Sequence, residues 1–348
     1  MKGAIHMSKQ VNFAVIGCSG MARKHMQGVI AKEGAHLYAI CDPATDGRME
    51  KCKAEFNVPV AVTDYRELVN DPNIDAVALV VPDPLHLEMA AAFMRAGKDV
   101  FCEKPMALTM EECEEMMRVE KETGRKLMIG QVCRFAPAFV MAKNLVDSGR
   151  IGELFFVESE YAHDYGRVPG YNNWRVTPER EGFIGGGCHA VDLLRWIAGD
   201  PIEVTAYANH KCLTTWPVND CTIAIYRFPN NVVGKVFVSI GCKRDYTMRS
   251  VFYGTKGTII CDNKSENLTL FECDADGKGY TTPKLLPVFG EERNHNVAAE
   301  IDMFVNAIVD DTDIPISSME GASTVAVCRA SVESAAKNCP VTIEYPKV

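Results

Sequence analysis

Lys104 stands where a chain of this pattern can do proton chemistry. The strand-like run Asp99-Val100-Phe101-Cys102 passes straight into Glu103-Lys104-Pro105. A lysine just past the carboxyl end of a parallel strand faces the crevice in which open α/β sheets bind ligands. Pro105 has no N–H, so an interior strand stops there. An amine held in that position, partly out of water, can exchange protons near neutrality as a general acid or base. A second pair lies in Gly185-Gly186-Gly187-Cys188-His189-Ala190-Val191-Asp192. His189 and Asp192 are three apart and fall on one helical face. A histidine titrates close to neutral pH and can relay protons, while Asp192 would orient it or bind substrate hydroxyls.

A third group is a segment rich in polar and aromatic side chains, with Tyr161, His163, Asp164, Tyr165, Arg167, Tyr171 and Trp174-Arg175. Polyols and sugars need many hydroxyl partners and an apolar stacking face, and such a segment offers both. Arg134, Tyr161, Asp164, Trp174 and Arg175 are the expected substrate contacts.

These groups need a scaffold. Val11–Ile16 reads as a buried strand followed at once by Gly17-Cys18-Ser19-Gly20-Met21-Ala22 and a helix to about residue 33. Glycine at such a strand-to-helix turn lets the backbone approach a pyrophosphate seated on the helix N-terminus. Gly17, Ser19, Gly20 and Met21 are therefore cofactor candidates. A second strand, Ala35–Cys41, ends in Asp42, which follows Gly20 by 22 positions. A carboxylate at that distance accepts hydrogen bonds from an adenosine ribose and repels a 2′-phosphate, so NAD is favoured over NADP. Helix, strand and helix follow. Ile74–Val81 is a continuous apolar strand broken by Pro82-Asp83-Pro84, Leu85–Ala96 is a helix, and Met110–Thr123 and Lys126–Ile129 are the next helix and strand. Such alternation predicts a doubly wound parallel sheet. Pro82, His86 and Glu103 border the same crevice and complete the cofactor set, His86 as an orienting residue.

After Arg134 the pattern changes. A helix over Ala138–Ser148 and a strand over Leu154–Ala162 precede strands near 202–211, 221–228, 233–242, 248–254 and 257–262. Helices near 294–309 and 319–336 close the chain. Strands without intervening helices predict a mostly antiparallel sheet. The expected class is thus α/β: an N-terminal doubly wound Rossmann domain over 1–134, and a C-terminal α+β domain with an open, mostly antiparallel sheet over 135–348.

Composition bounds the function. The chain has 348 residues, 47% of them hydrophobic and 24% charged, with a net charge of −9. That balance argues against nucleic acid or an anionic membrane as partner, and no apolar run is long enough to span a bilayer. The 14 cysteines include no C-x-x-C pair, so no metal site is expected and a reducing cytoplasmic setting is. Met7 could be an alternative start, leaving Met1–His6 as a leader, and no signal-peptide core precedes it.

The glycine turn at 17–22, Pro82-Asp83-Pro84-Leu85-His86, Ala96–Val100 leading into Glu103-Lys104-Pro105, Asn173-Trp174-Arg175 and the Gly185–Asp192 run together resemble the Gfo/Idh/MocA oxidoreductases. This is the glucose–fructose oxidoreductase and inositol dehydrogenase family, and the resemblance covers almost the whole chain. It implies acid/base catalysis by Lys104 beside a nicotinamide, a cis Lys104–Pro105 peptide, and a homo-oligomer, dimer or tetramer. It also implies Asp-x-x-x-His-x-x-Asp around His189, but Gly185 stands where the first carboxylate belongs. The expected activity is NAD-dependent oxidation of a secondary hydroxyl on a sugar, glycoside or polyol, or its reverse. A carboxylate such as Asp164 could substitute for the missing one. Two alternatives remain: an NAD-recycling redox glycoside lyase or hydrolase, and a non-catalytic NAD-binding, sugar-sensing regulator.

Overall fold

The computed structural model describes residues 10–290 and 293–347; the leader and the alternative start at Met7 lie outside them. Two compact units result. The first holds the chain up to Ala107, Glu111–Gly130 and Val297–Gly321, and the second holds Leu108–Met110, Gln131–Asn296 and the chain from Ala322.

In the first unit, strands β1 (Val11–Ile16), β2 (Ala35–Cys41), β3 (Val60–Val62), β4 (Ala76–Leu79), β5 (Asp99–Glu103) and β6 (Leu127–Gly130) alternate with helices. The helices are α1 (Gly20–Ala31), α2 (Arg48–Phe56), α3 (Arg66–Val69), α4 (His86–Arg95) and α5 (Met110–Thr123). All strand pairs are parallel, in the order β3-β2-β1-β4-β5-β6. This is the doubly wound order whose switch point lies between β1 and β4. Strands β4 and β5 are buried at every position, as sheets covered on both faces require.

The second unit begins with α6 (Pro137–Asp147) and β7 (Leu154–Ala162), followed by α7 (Gly182–Gly185) and α8 (Cys188–Ala198). Then come β8 (Glu203–Asn209), β9 (Cys221–Arg227), β10 (Val233–Ser239), β11 (Thr247–Gly254), β12 (Gly257–Asp262), β13 (Asn267–Glu272) and β14 (Lys284–Pro287). Together with β15 (Val341–Thr342) they form one sheet in the order β14-β13-β12-β11-β7-β10-β9-β8-β15, antiparallel except for the β7–β10 pair. Along β9, buried Thr222, Ala224 and Tyr226 alternate with exposed Ile223, Ile225 and Arg227. Helix α10 (Ser318–Lys337) covers the buried side, where the Tyr226 hydroxyl meets Ser331 Oγ at 2.8 Å and Ser334 Oγ accepts from the Ala206 N–H.

A continuous second domain over 135–348 was the expectation. Instead helix α9 (Val297–Val309) packs on the first unit. Its Phe304 meets Phe13 of β1 and Phe101 of β5 edge-on, at 6.1 and 5.9 Å between ring centroids. Its Ile301 lies 3.3 Å from where a Cβ on Gly28 would be, so α1 and α9 approach closely at that glycine.

Candidate active site

The β1–α1 turn is built for close approach. Gly17 has φ +104°, and a Cβ there would meet the Val80 carbonyl oxygen at 2.3 Å, so only glycine fits. Its N–H donates to the Cys41 carbonyl at 2.7 Å, while the Cys18 N–H donates to Asp42 Oδ2 at 2.7 Å. Ser19 and Gly20 are exposed at the head of α1, Met21 is half-buried, and a Cβ on Gly20 would meet nothing within 4 Å. The first turn of α1 carries no acidic residue, which leaves the positive end of the helix dipole unopposed. This cradle fits a dinucleotide pyrophosphate. Asp42 Oδ1 accepts the Ala44 N–H at 2.8 Å, so both carboxylate oxygens hold backbone. Each keeps a further lone pair for a ribose hydroxyl.

Lys104 is half-buried immediately past β5, and its peptide bond to Pro105 is cis. The Glu103 carboxylate beneath it is buried. Its Oε2 accepts the Lys104 N–H at 3.1 Å, and its Oε1 lies 3.0 Å from Nε2 of fully buried His25 on α1. Burial alone would raise the Glu103 carboxyl, but the His25 hydrogen bond, the charges of His25 and Lys104 and the Lys104 N–H outweigh it, and they hold it below the usual carboxylate range. The His86 ring sits between two carbonyls, Nδ1 at 2.9 Å from Pro105 O and Nε2 at 3.2 Å from Val81 O. It thereby ties the segment after β4, where Pro82 lies, to the Lys104–Pro105 turn. His25 had no signal in the sequence, because a lone histidine on an amphipathic helix looks like core.

The second unit gathers His189 into an aromatic cluster. His189 is 2% exposed and stacks on Tyr161, with ring centroids 6.0 Å apart and planes at 22°; the His295 ring centroid lies 5.4 Å from that of His189, and Cys133 Sγ is 3.5 Å from His189 Nδ1. The Tyr161 hydroxyl bonds both His163 Nδ1 (3.2 Å) and the Tyr165 hydroxyl (3.0 Å), and the Tyr246 hydroxyl meets His295 Nε2 at 3.1 Å. Burial pushes the Tyr161 phenol well above its ordinary value, reinforced by Tyr165 and Tyr246, so it stays protonated. Tyr246 and His295 went unrecognised in the sequence, since they reach the cluster from β10–β11 and from the segment before α9.

Asp192 is engaged in a buried ion pair. Its two oxygens receive Arg134 Nε and Nη2 at 2.8 and 2.7 Å, and the Thr324 hydroxyl adds a third bond at 3.0 Å. This buried, forked ion pair joins the 3-10 turn Val132–Phe135 to α8 and α10, so Arg134 and Asp192 serve each other. Asp164 caps the turn at Tyr165–Arg167 through the Gly166 N–H and pairs with Lys243 and Arg167 at 3.3 and 3.5 Å. The place beside Gly185 is filled by an arginine that drew no attention in the sequence. Arg180 is 3% exposed and donates from Nη2 to the Gly185 carbonyl at 3.2 Å. Trp174 carries two guanidinium groups over its ring, Arg175 at 4.4 Å and Arg180 at 4.8 Å. Among the described residues no cluster of histidine, cysteine, aspartate or glutamate could hold a metal ion.

Residues 11–131 match the family model for the "Oxidoreductase family, NAD-binding Rossmann fold", and residues 139–260 match the "GFO/IDH/MocA C-terminal domain". An inositol 2-dehydrogenase of Saccharopolyspora erythraea is 31% identical over 75% of this chain and 76% of its own length. The chain belongs to the Gfo/Idh/MocA oxidoreductases. The inositol 2-dehydrogenase of Rhizobium meliloti is 29% identical over 96% of this chain and 99% of that protein. In fold, this Gfo/Idh/MocA chain matches levoglucosan dehydrogenase in complex with NADH and L-sorbose, with a TM-score of 0.88 at 24% identity, over 97% of this chain and all of the other. The family membership makes the first unit an NAD-binding Rossmann domain and the chain an NAD-dependent oxidoreductase. No helix among the described residues is long and apolar enough to cross a membrane.

Proposed function

We propose that this protein oxidises a secondary hydroxyl of a sugar, glycoside or polyol, or runs the reverse reduction, with Lys104 as the acid/base and His189 as the proton relay. The observation that carries the reading is Lys104 itself: half-buried at the carboxyl end of β5, on the sheet whose β1–α1 turn fits a dinucleotide. Bound NAD would supply the hydride acceptor. Gly17, Ser19, Gly20 and Met21 would hold the pyrophosphate and Asp42 the adenosine ribose. Lys104 takes the hydroxyl proton, and Glu103, anchored by His25, fixes the backbone of Lys104 and adds a negative charge beneath it. His189 passes the proton on, kept in place by the Tyr161 ring. Tyr161, in that cluster, and Asp164, at the turn that follows β7, would serve as hydroxyl partners, with Trp174 and Arg175 as further substrate contacts.

The relatives named as inositol 2-dehydrogenases support a polyol or sugar as substrate. The exposed residues of the open sheet face, Tyr207, Ile223, Ile225 and Val233, support a homo-oligomer, dimer or tetramer. Nine buried free cysteines support a reducing, cytoplasmic setting. Gly185, with Arg180 against it, favours a second reading, transient oxidation beside an eliminable glycosidic bond with NAD regenerated.

NADH fluorescence during incubation with sugars, inositols and glycosides separates the two. Net NADH formation supports the dehydrogenase, and glycoside cleavage without it supports the second reading. Lys104→Ala should lose turnover by at least about a hundredfold, as expected for a lost acid/base, while NAD affinity stays within a few-fold. Near-normal rates in that variant would remove Lys104 from the mechanism.

A further inference from the structure

Position 185 lies four residues before His189, and as glycine it has no side chain to offer the imidazole. The two carboxylates expected near that ring are committed elsewhere. Asp192 gives both oxygens to Arg134 and one of them to Thr324 as well, and Asp164 pairs with Lys243 and Arg167. What meets His189 is a thiol: Cys133 Sγ lies 3.5 Å from Nδ1, and both residues are buried. The contact is held from several sides. Cys133 precedes Arg134 in the turn Val132–Phe135, and the fork from Arg134 to Asp192 fastens that turn to α8, three residues past His189. The Tyr161 and His295 rings lie against the imidazole with planes at 22° and 36°, and they resist its turning over.

An ionised carboxylate only accepts hydrogen bonds, so it keeps a proton on the ring nitrogen it faces. A neutral thiol donates instead. Burial of both partners favours the neutral pair over thiolate and imidazolium, because each charge would lose its hydration. We propose that Cys133 is the positioning residue of His189, donating its S–H to Nδ1 and so holding the ring in the Nε2–H tautomer, in place of a carboxylate at 185. The exchange of partner thus reverses the hydrogen bond at Nδ1 and makes the ring a donor through Nε2. The forked pair of Arg134 and Asp192 acts through the same contact, by keeping the turn that carries Cys133 against α8. The tautomer stands on this geometry, and its use in turnover rests on the oxidoreductase reading above.

The test is 15N NMR of the full chain labelled at histidine, with His189→Asn assigning the signal among the 8 histidines. Protonated and unprotonated ring nitrogens have well-separated shifts, so the spectrum reads the tautomer directly. At neutral pH wild type should carry one ring proton, on Nε2. Cys133→Ser keeps a donor and should keep that pattern, Cys133→Ala should give a mixture of tautomers, and Cys133→Asp should move the proton to Nδ1. Should Cys133→Asp not fold, wild type and Cys133→Ala carry the test. A wild-type proton on Nδ1 or on both nitrogens, or an unaltered pattern in Cys133→Ala, overturns the proposal. In turnover, Cys133→Ala should lower kcat by about tenfold or more and Cys133→Ser should restore it to within about threefold, with KM and NADH affinity held in both. The expected tautomers with wild-type kcat in Cys133→Ala would overturn the part of Cys133 in catalysis. The spectrum needs no substrate, so a protein that turns over no sugar removes the oxidoreductase reading and leaves the tautomer result standing.

Discussion

Asp192→Asn separates an anchoring carboxylate from a reacting one. In the folded protein Asp192 is fully buried, and its side chain and that of Arg134 are 1% and 8% exposed. The forked bonds at 2.8 and 2.7 Å and the Thr324 hydroxyl use both oxygens. An asparagine keeps the shape but removes the charge, and its amide N–H groups would face a guanidinium. The buried cation is then uncompensated, a loss of about 3–5 kcal/mol in comparable cases. Leu in place of Asp192 with Met in place of Arg134 removes both charges and should recover most of that stability.

All three tryptophans, Trp174, Trp196 and Trp216, lie in the second unit, so their fluorescence during urea titration reports the unfolding of that unit. With an m-value of about 2–3 kcal/mol per molar urea, the single substitution should lower the midpoint by about 1–2 M. The double substitution should return to within about 0.5 M of wild type, given the same m-value. Should Asp192→Asn keep the wild-type midpoint while turnover falls a hundredfold, the anchoring role is wrong and Asp192 belongs to the chemistry.

Two other outcomes follow from the same structure. Asp42→Ala removes a ribose acceptor and the tether on the Cys18 N–H, so NAD should bind about tenfold to a hundredfold more weakly and NADP discrimination should relax; NADH and NADPH fluorescence titrations check this, and unchanged NAD affinity would contradict the ribose contact. Burial raises the Tyr161, Tyr226 and Tyr246 phenols and the Cys102 and Cys328 thiols. Above the ordinary values of about 8.5 for cysteine and 10 for tyrosine, the unfolded chain releases protons that the folded chain retains, so stability falls as pH rises. Urea midpoints at pH 8, 9.5 and 10.5 should decline in that order, and a flat profile would mean these groups are less enclosed than the structure has them.

The first unit was legible because its signals are local. Strands β1 and β2 and helix α5 lie where apolar runs and glycine or proline breaks put them, and Asp42 follows its strand at the spacing a ribose contact needs. Packing between distant segments left no such mark. Nothing in Val297–Val309 announces that Phe304 completes a cluster with Phe13 and Phe101, because an amphipathic helix fits any apolar face. Strands β13 and β14 passed unread for a related reason. β14 is short, three of its four residues are exposed, and its Pro287 argues against a strand.

The site divides in the same way. Lys104, Glu103 and His86 sit within short motifs, and the structure holds them together through a backbone N–H and two carbonyls. Asp192 was visible but its arginine partner was not, since a carboxylate three residues from a histidine looks the same whether or not an arginine 58 positions away pairs with it. Arg180 shows the limit most clearly. Gly185 could be read as a missing carboxylate, an absence with no stated replacement. Only the fold shows that the space is taken by a cation held against the Trp174 and Tyr165 rings. A glycine in a buried helix costs stability unless something needs its room, and here that something is a guanidinium. The glycine is therefore more than a missing carboxylate: the room that a side chain at 185 would need is occupied, so a carboxylate returned there would have to displace Arg180.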